Sequence, residues 1–163
     1  MLDRHLPYFI AAILAFNIQL AYAVPAQETC HPASKQEITA LFDRWNTTLG
    51  TGNSDTVTNN YADDAVLLPT LSNQPRTTHA EIKSYFNEFL AKHPHGTILS
   101  RNVVVQCNTA YDVGTYKFDL VDKGQKKTVA ARYSFIYTYK NGKWLIAHHH
   151  SSLMPEGDKT KTN

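Results

Sequence analysis

The sequence predicts an α+β fold in which helices come first and an antiparallel sheet follows. Two observations predict this class. Apolar residues recur at helical spacing in two stretches before residue 92. From about residue 97 onward, runs rich in β-branched and aromatic residues alternate with turn dipeptides. This order of elements, without an internal repeat or a linker, indicates one domain of helices packed against an antiparallel meander.

The two main helices are predicted from their N-terminal caps. Ser34 is followed by Glu37 and Thr78 by Glu81, and this spacing is typical of a capping box. The apolar face of the first helix consists of Ile38, Leu41, Phe42, Trp45 and Leu49, and that of the second of Ile82, Tyr85, Phe86, Phe89 and Leu90. Each helix therefore presents one apolar face to a common core.

A shorter helix and a short strand are expected between the main helices. Ser54 or Asp55 would cap the helix, which would carry Val57 and Tyr61. Residues 65–68 form an apolar run that predicts a strand, and residues 70–76 have the composition of a loop.

Four further strands are predicted at about 97–107, 110–121, 127–140 and 143–153. The turn at Asn141-Gly142 is the clearest, because both residue types tolerate positive φ. Neither strand beside this turn has a plainly polar face. We therefore expect a curved sheet with helices on its concave side and a partner chain on its convex side.

Composition indicates an exported globular protein. The chain has 163 residues, of which 42% are apolar and 18% are charged, and its net charge is +2. We interpret residues 1–23 as a signal peptide, because their apolar run is too short to span a membrane and ends at a small-x-small cleavage site. A periplasmic or secreted protein without a membrane partner after cleavage is expected. The mild charge, with no basic run, argues against a nucleic-acid partner.

The two cysteines that remain in the exported chain, Cys30 and Cys107, predict a disulfide. In an oxidising compartment an even pair is more typical of a bond than of a metal or redox site. The bond would tie an N-terminal tail, residues 24–33, to a strand of the sheet. Residues 157–163 are expected to form a disordered tail.

Three segments carry a resemblance to a known family: LFDRWNTTLGTGNSDTVTNNYADDAVLLP, PRTTHAEIKSYFNEFL and ARYSFIYTYKNGKWLIAHHHSSLMPE. They resemble the association domain of calcium/calmodulin-dependent protein kinase II and, more closely, its bacterial stand-alone relatives. Both belong to the nuclear-transport-factor-2-like superfamily, which also includes isomerases, dehydratases and cyclases. The resemblance covers residues 34–156, and the kinase domain itself is missing from this sequence.

The resemblance implies a cone, in which a strongly bent antiparallel sheet wraps around the N-terminal helices and leaves a pocket at the open end. It also implies a homo-oligomer, a dimer or a larger ring, assembled through the convex sheet face. The kinase domain's pocket carries arginines that bind small carboxylates. The matching positions here are Tyr116, Phe135 and Ser151, so that anion site is not carried over. Fold alone does not select a chemistry.

His149 and Arg132 are the main candidates for chemistry in the pocket. His149 alternates to the same strand face as Ser151, where an unperturbed pKa of about 6.5 would suit a general base. A structural histidine is the alternative. Arg132 is a lone charge in an apolar strand, and either a ligand or an ion pair would satisfy it. Simple two-residue counting from Asn141-Gly142 pairs 132 with 151 and 134 with 149, which puts Arg132 and His149 on one face.

Several other residues are expected near the pocket. Arg76 lies where a loop could close over the mouth, although a surface arginine is the default there. Trp45, Tyr61 and Tyr116 lie on faces that point into the cone, where one or two would line the cavity. The pair His148 and His150 lacks a third zinc ligand and is expected to be structural. No metal and no cofactor are therefore predicted.

These residues favour an exported oligomeric module that binds a small organic molecule or a carboxylate, without clear catalysis. An isomerase, dehydratase or cyclase that uses His149 as base and Arg132 as oxyanion stabiliser is the alternative. A purely structural hub with a vestigial cavity is a third possibility.

Overall fold

The computed structural model describes residues 29–155, which form helices followed by a bent sheet. The elements are α1 (Lys35–Leu49), α2 (Ser54–Thr58), β1 (Tyr61–Leu68), α3 (His79–Leu90), β2 (His95–Val105), β3 (Thr109–Asp122), β4 (Gln125–Lys140) and β5 (Lys143–Leu153). The predicted signal peptide and C-terminal tail lie outside the described residues. Within residues 29–155, the helices are all too short or too polar to cross a membrane.

Both predicted capping boxes are confirmed. The Ser34 hydroxyl accepts a hydrogen bond from the Glu37 amide at 3.1 Å, and the Glu37 carboxylate accepts one from the Ser34 amide at 2.7 Å. Thr78 and Glu81 exchange the equivalent bonds at 3.2 and 3.1 Å. These reciprocal bonds satisfy amides that have no partner within the helix.

The region around α2 differs from the prediction. Asn53, and neither Ser54 nor Asp55, is the N-cap, and its side chain accepts bonds from the amides of Asp55 and Thr56. The helix ends at Thr58, so Tyr61 opens β1 instead of belonging to the helix. The prediction was wrong here because the Val57–Tyr61 spacing also fits a helical turn followed by a buried strand.

The sheet order is β1-β5-β4-β3-β2. Strands β2 to β5 form the predicted antiparallel meander, and the Asn141-Gly142 turn has the expected positive φ values of 52° and 79°. Strand β1 joins one edge in parallel with β5, a pairing that the sequence did not predict. It places Leu67 beside His149 and so brings the end of β1 to the C-terminal strand.

A one-residue bulge at Ala147 changes the register of the last hairpin. Tyr137 pairs with Ile146, but Ile136 pairs with His148, which leaves Ala147 without a partner on β4. Beyond the bulge, position 132 pairs with 152 and position 134 with 150. The predicted pairing of 132 with 151 and 134 with 149 is therefore wrong by one residue.

A second irregularity, at Leu99, bends β2 over β3. Pairing shifts by one residue between Ile98 and Ser100, and such bulges bend the strand that carries them. Just beyond the bulge, Gly114 pairs with Arg101, and an added Cβ at Gly114 would stand 2.7 Å from the Ser100 carbonyl carbon and 3.1 Å from the Arg101 Cα. The close approach of the two backbones requires glycine at this position.

The core lies between the helices and the concave face of the sheet. Aromatic side chains dominate it, and Trp45 of α1 is at its centre, with ring centroids 5.2 Å from Phe135 and 6.3 Å from both Phe86 and Phe118. Edge-to-face contacts of this kind add to the free energy gained by burying apolar area.

The predicted disulfide between Cys30 and Cys107 is confirmed, with the Cα atoms 4.9 Å apart. Further contacts hold the same segment. The His31 amide donates to the Asn108 side chain at 2.8 Å, and the His31 ring stacks on Tyr139 with centroids 3.7 Å apart. The tail that precedes α1 is thus fixed to the β2–β3 turn and to β4.

Candidate ligand pocket

A cavity of about 280 Å³ opens at one end of the concave face. Its walls come from α3, β3 and β4 and are mainly apolar: Tyr85, Phe86, Phe89, Phe118, Leu120 and Val129. Loop residues 69–72 and Arg76 border the mouth, while Trp45, Tyr116, His149 and Ser151 contribute polar atoms at the inner end. An apolar cavity with few polar groups is typical of a small-molecule site.

His149 occupies the inner end of the pocket and is 4% exposed. Its ring stacks on Phe135 with centroids 4.0 Å apart, and its Nδ1 lies 3.0 Å from the Tyr61 hydroxyl. Its Nε2 has no hydrogen-bond partner among the described residues. The pKa of His149 is lowered to about 3, mainly by burial and to a smaller extent by the neighbouring His148 and His150. The imidazole is therefore neutral near pH 7.

Ser151 lies beside His149 and is enclosed by two other hydroxyl groups. Its oxygen accepts a hydrogen bond from the Tyr116 hydroxyl at 2.6 Å and a second one from the Thr70 hydroxyl. Burial raises the pKa of Tyr116 well above its usual value, so the phenol stays protonated. The inner end of the pocket thus carries no net charge.

Arg76 supplies positive charge on the loop side of the pocket. Its backbone is fixed by paired hydrogen bonds with Leu67, each 2.9 Å long, and one guanidinium nitrogen donates to the Ser72 hydroxyl at 3.3 Å. Its Nε is buried without an acceptor, and within residues 29–155 no carboxylate lies within 4.0 Å of the guanidinium. Burial raises the pKa of Tyr85 to about 12, although the charge of Arg76 opposes this rise.

The structure brings most of the predicted site residues together. Arg76, Trp45, Tyr116, His149 and Ser151 all line the pocket, and Tyr61 stands directly behind His149.

Arg132 is the exception, and its predicted position facing the pocket is wrong. Because of the bulge at Ala147, it lies on the outer face of the sheet, where its guanidinium donates to the Ser152 hydroxyl at 3.2 Å and the Leu153 carbonyl at 3.4 Å. Arg132 and His149 therefore lie on opposite faces and cannot bind one ligand in the same pocket.

Sequence reasoning missed the loop residues Thr70 and Ser72, which belong to a segment interpreted as a loop without order. The sequence indicates only weakly that these two residues belong to the pocket, although polar side chains that directly follow a buried strand often reach a cavity. It also missed Asp112, which is fully buried on the concave face. Asp112 pairs with Arg101 at 3.0 Å and accepts from the Tyr133 hydroxyl at 2.7 Å. The sequence feature that could have identified Asp112 is an acidic residue on the apolar face of an alternating strand.

The adjacent histidines His148 and His150 point to the outer face of the sheet, opposite Ile136 and Ser134 of β4. In the part of the chain that the structure describes, no three His, Cys, Asp or Glu side chains are grouped as metal ligands would be.

The family profile of the calcium/calmodulin dependent protein kinase II association domain matches residues 34–155. The chain belongs to this family. It is 47% identical to a Xanthomonas campestris protein assigned as such an association domain, with a TM-score of 0.74 over 83% of this chain and 94% of that one. Among curated proteins, none matches significantly.

More distant structures share the fold. The association domain of the Caenorhabditis elegans kinase is 19% identical, with a TM-score of 0.61 over 72% of this chain and 94% of that one. A Streptomyces avermitilis protein of the NTF2-like family, named as a dehydratase, is 11% identical, with a TM-score of 0.65 over 73% and 95%. Because these identities are low, the two structures show only that this chain has an NTF2-like fold, which proteins of different named functions share.

Proposed function

We propose that this protein is an exported, self-associating module that binds one small planar organic molecule in the pocket. The observation that carries the proposal is a preformed cavity whose inner end holds a buried imidazole nitrogen without a partner. A buried polar atom left without a hydrogen bond costs free energy, and a bound ligand would remove that cost.

The size of the cavity sets the size of the ligand. An engineered cavity of about 150 Å³ in another protein is sufficient to bind benzene. The present cavity of about 280 Å³ has room for one ring and one or two substituents. Its aromatic walls, which include Phe86, Phe89 and Phe118, favour a flat apolar body between them.

Arg76 favours an acidic substituent on the loop side. A partly buried guanidinium without a carboxylate partner is costly, and a ligand carboxylate would offset the cost through a charge-assisted hydrogen bond. This anchor differs from the one expected at Arg132, which lies on the other face of the sheet.

Calorimetric titration with 4-isopropylbenzoate tests the binding of an aromatic acid, and the change in Trp45 fluorescence reports on the pocket wall. The variant Arg76→Met should weaken binding by about tenfold or more, because it removes the charge and keeps the side-chain length. Arg132→Met, the same substitution on the outer face, is the matched control and should bind as the wild type does. Equal weakening in both variants, or no binding to the wild type, would contradict the proposal.

Catalysis by His149 and Arg132 is not favoured. The two residues lie on opposite sheet faces. The pKa of His149 is lowered to about 3. His149 is therefore a poor general base near neutral pH, because a general base is most efficient when its own pKa lies near the working pH.

Self-association through the outer sheet face is supported by its apolar side chains and by membership of an association-domain family. Tyr111 and Ile136 are cross-strand partners on this face, and each leaves about 36–37% of its surface exposed. A second copy of the chain would cover them. Sedimentation velocity at micromolar concentration should show a dimer or larger species, and Ile136→Lys should shift it toward monomer. A stable wild-type monomer would contradict this part.

Export is supported by the Cys30–Cys107 disulfide, since such bonds persist in oxidising compartments. The mass of the protein recovered from its host should correspond to a chain that begins at residue 24. Recovery of the uncleaved chain from the cytoplasm would contradict export.

A further inference from the structure

We propose that the ligand's buried end is a neutral carbonyl-type oxygen, which receives hydrogen bonds from His149 and Ser151. This inference rests on the proposed ligand-binding function and specifies the chemistry of the inner end. The reason is that the hydrogens of His149 and Ser151 have no acceptor among the described residues.

The tautomer of His149 follows from its contact with Tyr61. The neutral imidazole carries one hydrogen, on either Nδ1 or Nε2. The Tyr61 phenol stays protonated because burial raises its pKa, and imidazole nitrogen is a better acceptor than a phenol oxygen. Tyr61 therefore donates to Nδ1, and Nε2 carries the hydrogen.

Nε2–H is consequently a hydrogen-bond donor at the inner end of the pocket. It is buried, lies in a residue that is 4% exposed, and has no acceptor within residues 29–155. Stacking on Phe135 and the bond to Tyr61 fix the ring, so the donor cannot turn toward another partner.

Ser151 supplies a second donor. Its oxygen already accepts from Tyr116 and from Thr70, which uses both of its lone pairs. Its own hydrogen must therefore point in the remaining direction, and no described residue accepts it. Ser151 lines the cavity, so this hydrogen is available to a ligand.

The two donors are uncharged, and a ligand oxygen that accepts from both must offer two lone pairs. A carbonyl oxygen has two lone pairs and can accept both hydrogens without bringing a charge into the apolar interior. A carboxylate at the same depth would pay a desolvation cost that neutral donors do not offset well. The ligand acid is therefore directed to Arg76 and the carbonyl to His149 and Ser151.

Three probes of similar size test the inference by calorimetric titration. They are 4-acetylbenzoate, 4-isopropylbenzoate, in which a near-isosteric apolar group replaces the ketone, and acetophenone, which lacks the acid. The wild type should bind 4-acetylbenzoate about tenfold or more tightly than 4-isopropylbenzoate. Equal affinity for the two acids would overturn the carbonyl inference while leaving the ligand-binding function standing. Failure of all three probes to bind would count against both.

Variants at His149 separate the donor from the shape of the site. His149→Met removes the donor and keeps comparable bulk, so the preference for the ketone should fall by most of its value. His149→Gln retains an N–H donor at a similar distance and should restore part of it. His150→Gln, on the outer face, should leave the preference unchanged. Thermal unfolding of each variant confirms that the pocket remains folded. An unchanged preference in His149→Met would overturn the assignment of the donor.

Discussion

The close approach of β2 to β3 at Gly114 allows a quantitative test of the bent sheet. Replacing Gly114 with alanine adds a single methyl group, which would stand 2.7 Å from the Ser100 carbonyl carbon and 3.1 Å from the Arg101 Cα. Ordinary contacts of a Cβ begin at about 3.4 Å. The Ser100 carbonyl oxygen is closer still, and all three obstructing atoms belong to the backbone, so no side chain can rotate away to relieve the clash.

The expected cost follows from that geometry. Overpacking a well-packed interior costs about 1–3 kcal/mol, and a backbone obstruction places Gly114→Ala near the upper end, at about 3 kcal/mol. For a domain of this size, this corresponds to a fall in Tm of roughly 10 °C. The Arg101–Asp112 pair lies on the same two strands, so displacement of β2 should also disturb it.

Gly50→Ala is the matched control. Gly50 follows α1 with φ of −65°, and its added Cβ would meet the Thr47 carbonyl oxygen at 3.4 Å, an ordinary contact. Both substitutions reduce the entropy of the unfolded chain by the same amount, so the difference between the two variants isolates the clash. Urea unfolding measures each free energy. A Gly114→Ala protein within about 0.5 kcal/mol of the control would show that the strands do not approach as described.

Three further predictions concern charge and covalent links. Arg101→Met should destabilise the fold by about 3–5 kcal/mol in urea unfolding, because it leaves the Asp112 carboxylate buried without its cation, and the added change Asp112→Leu should recover most of the loss. Reduction of Cys30–Cys107, which closes a loop of 77 residues, should lower stability by about 2–4 kcal/mol, and alanine at both cysteines should abolish the effect of reductant. The pKa of His149 is about 3 in the folded protein, below the value of about 6.5 expected for the unfolded chain, so protons bind the unfolded state more strongly. Stability should therefore be constant above pH 6.5 and fall as pH decreases below it, by about 2 kcal/mol at pH 5, and His149→Met should remove this part of the slope.

The sequence contained most of the information for the secondary structure. Capping boxes at Ser34 and Thr78 and the Asn141-Gly142 turn depend on residues three or fewer positions apart, and the structure confirms all three. The α2 boundary failed because Tyr61 lies at a spacing that suits both a helix and the start of a buried strand.

The position of Arg132 could not be derived in the same way. Register beyond a turn depends on every pair between the turn and the residue in question, and one extra residue moves all later side chains to the other face. Ala147 carries no local signal for a bulge, since it is neither glycine nor proline. His149 and Ser151 were assigned to the pocket face correctly because alternation along β5 itself relates them to each other.

The grouping of Asp112 with Arg101 and Tyr133 was also beyond the sequence. These residues come from β3, β2 and β4, and only the three-strand alignment brings them together. Arg76 was found as a candidate because of its place in the chain, but its contact with the pocket depends on the backbone pairing with Leu67.

The attachment of the N-terminal tail has a practical consequence for experiments on this protein. Cys107 lies next to the start of β3, whereas the pocket residues Phe118 and Leu120 lie toward the other end of the same strand. At a rise of about 3.3 Å per residue, the chain from Cys107 to Phe118 covers about 36 Å along the strand. A surface support or a fluorescent label coupled through the N-terminal tail would be held away from the mouth, so immobilised protein should bind its ligand as freely as protein in solution.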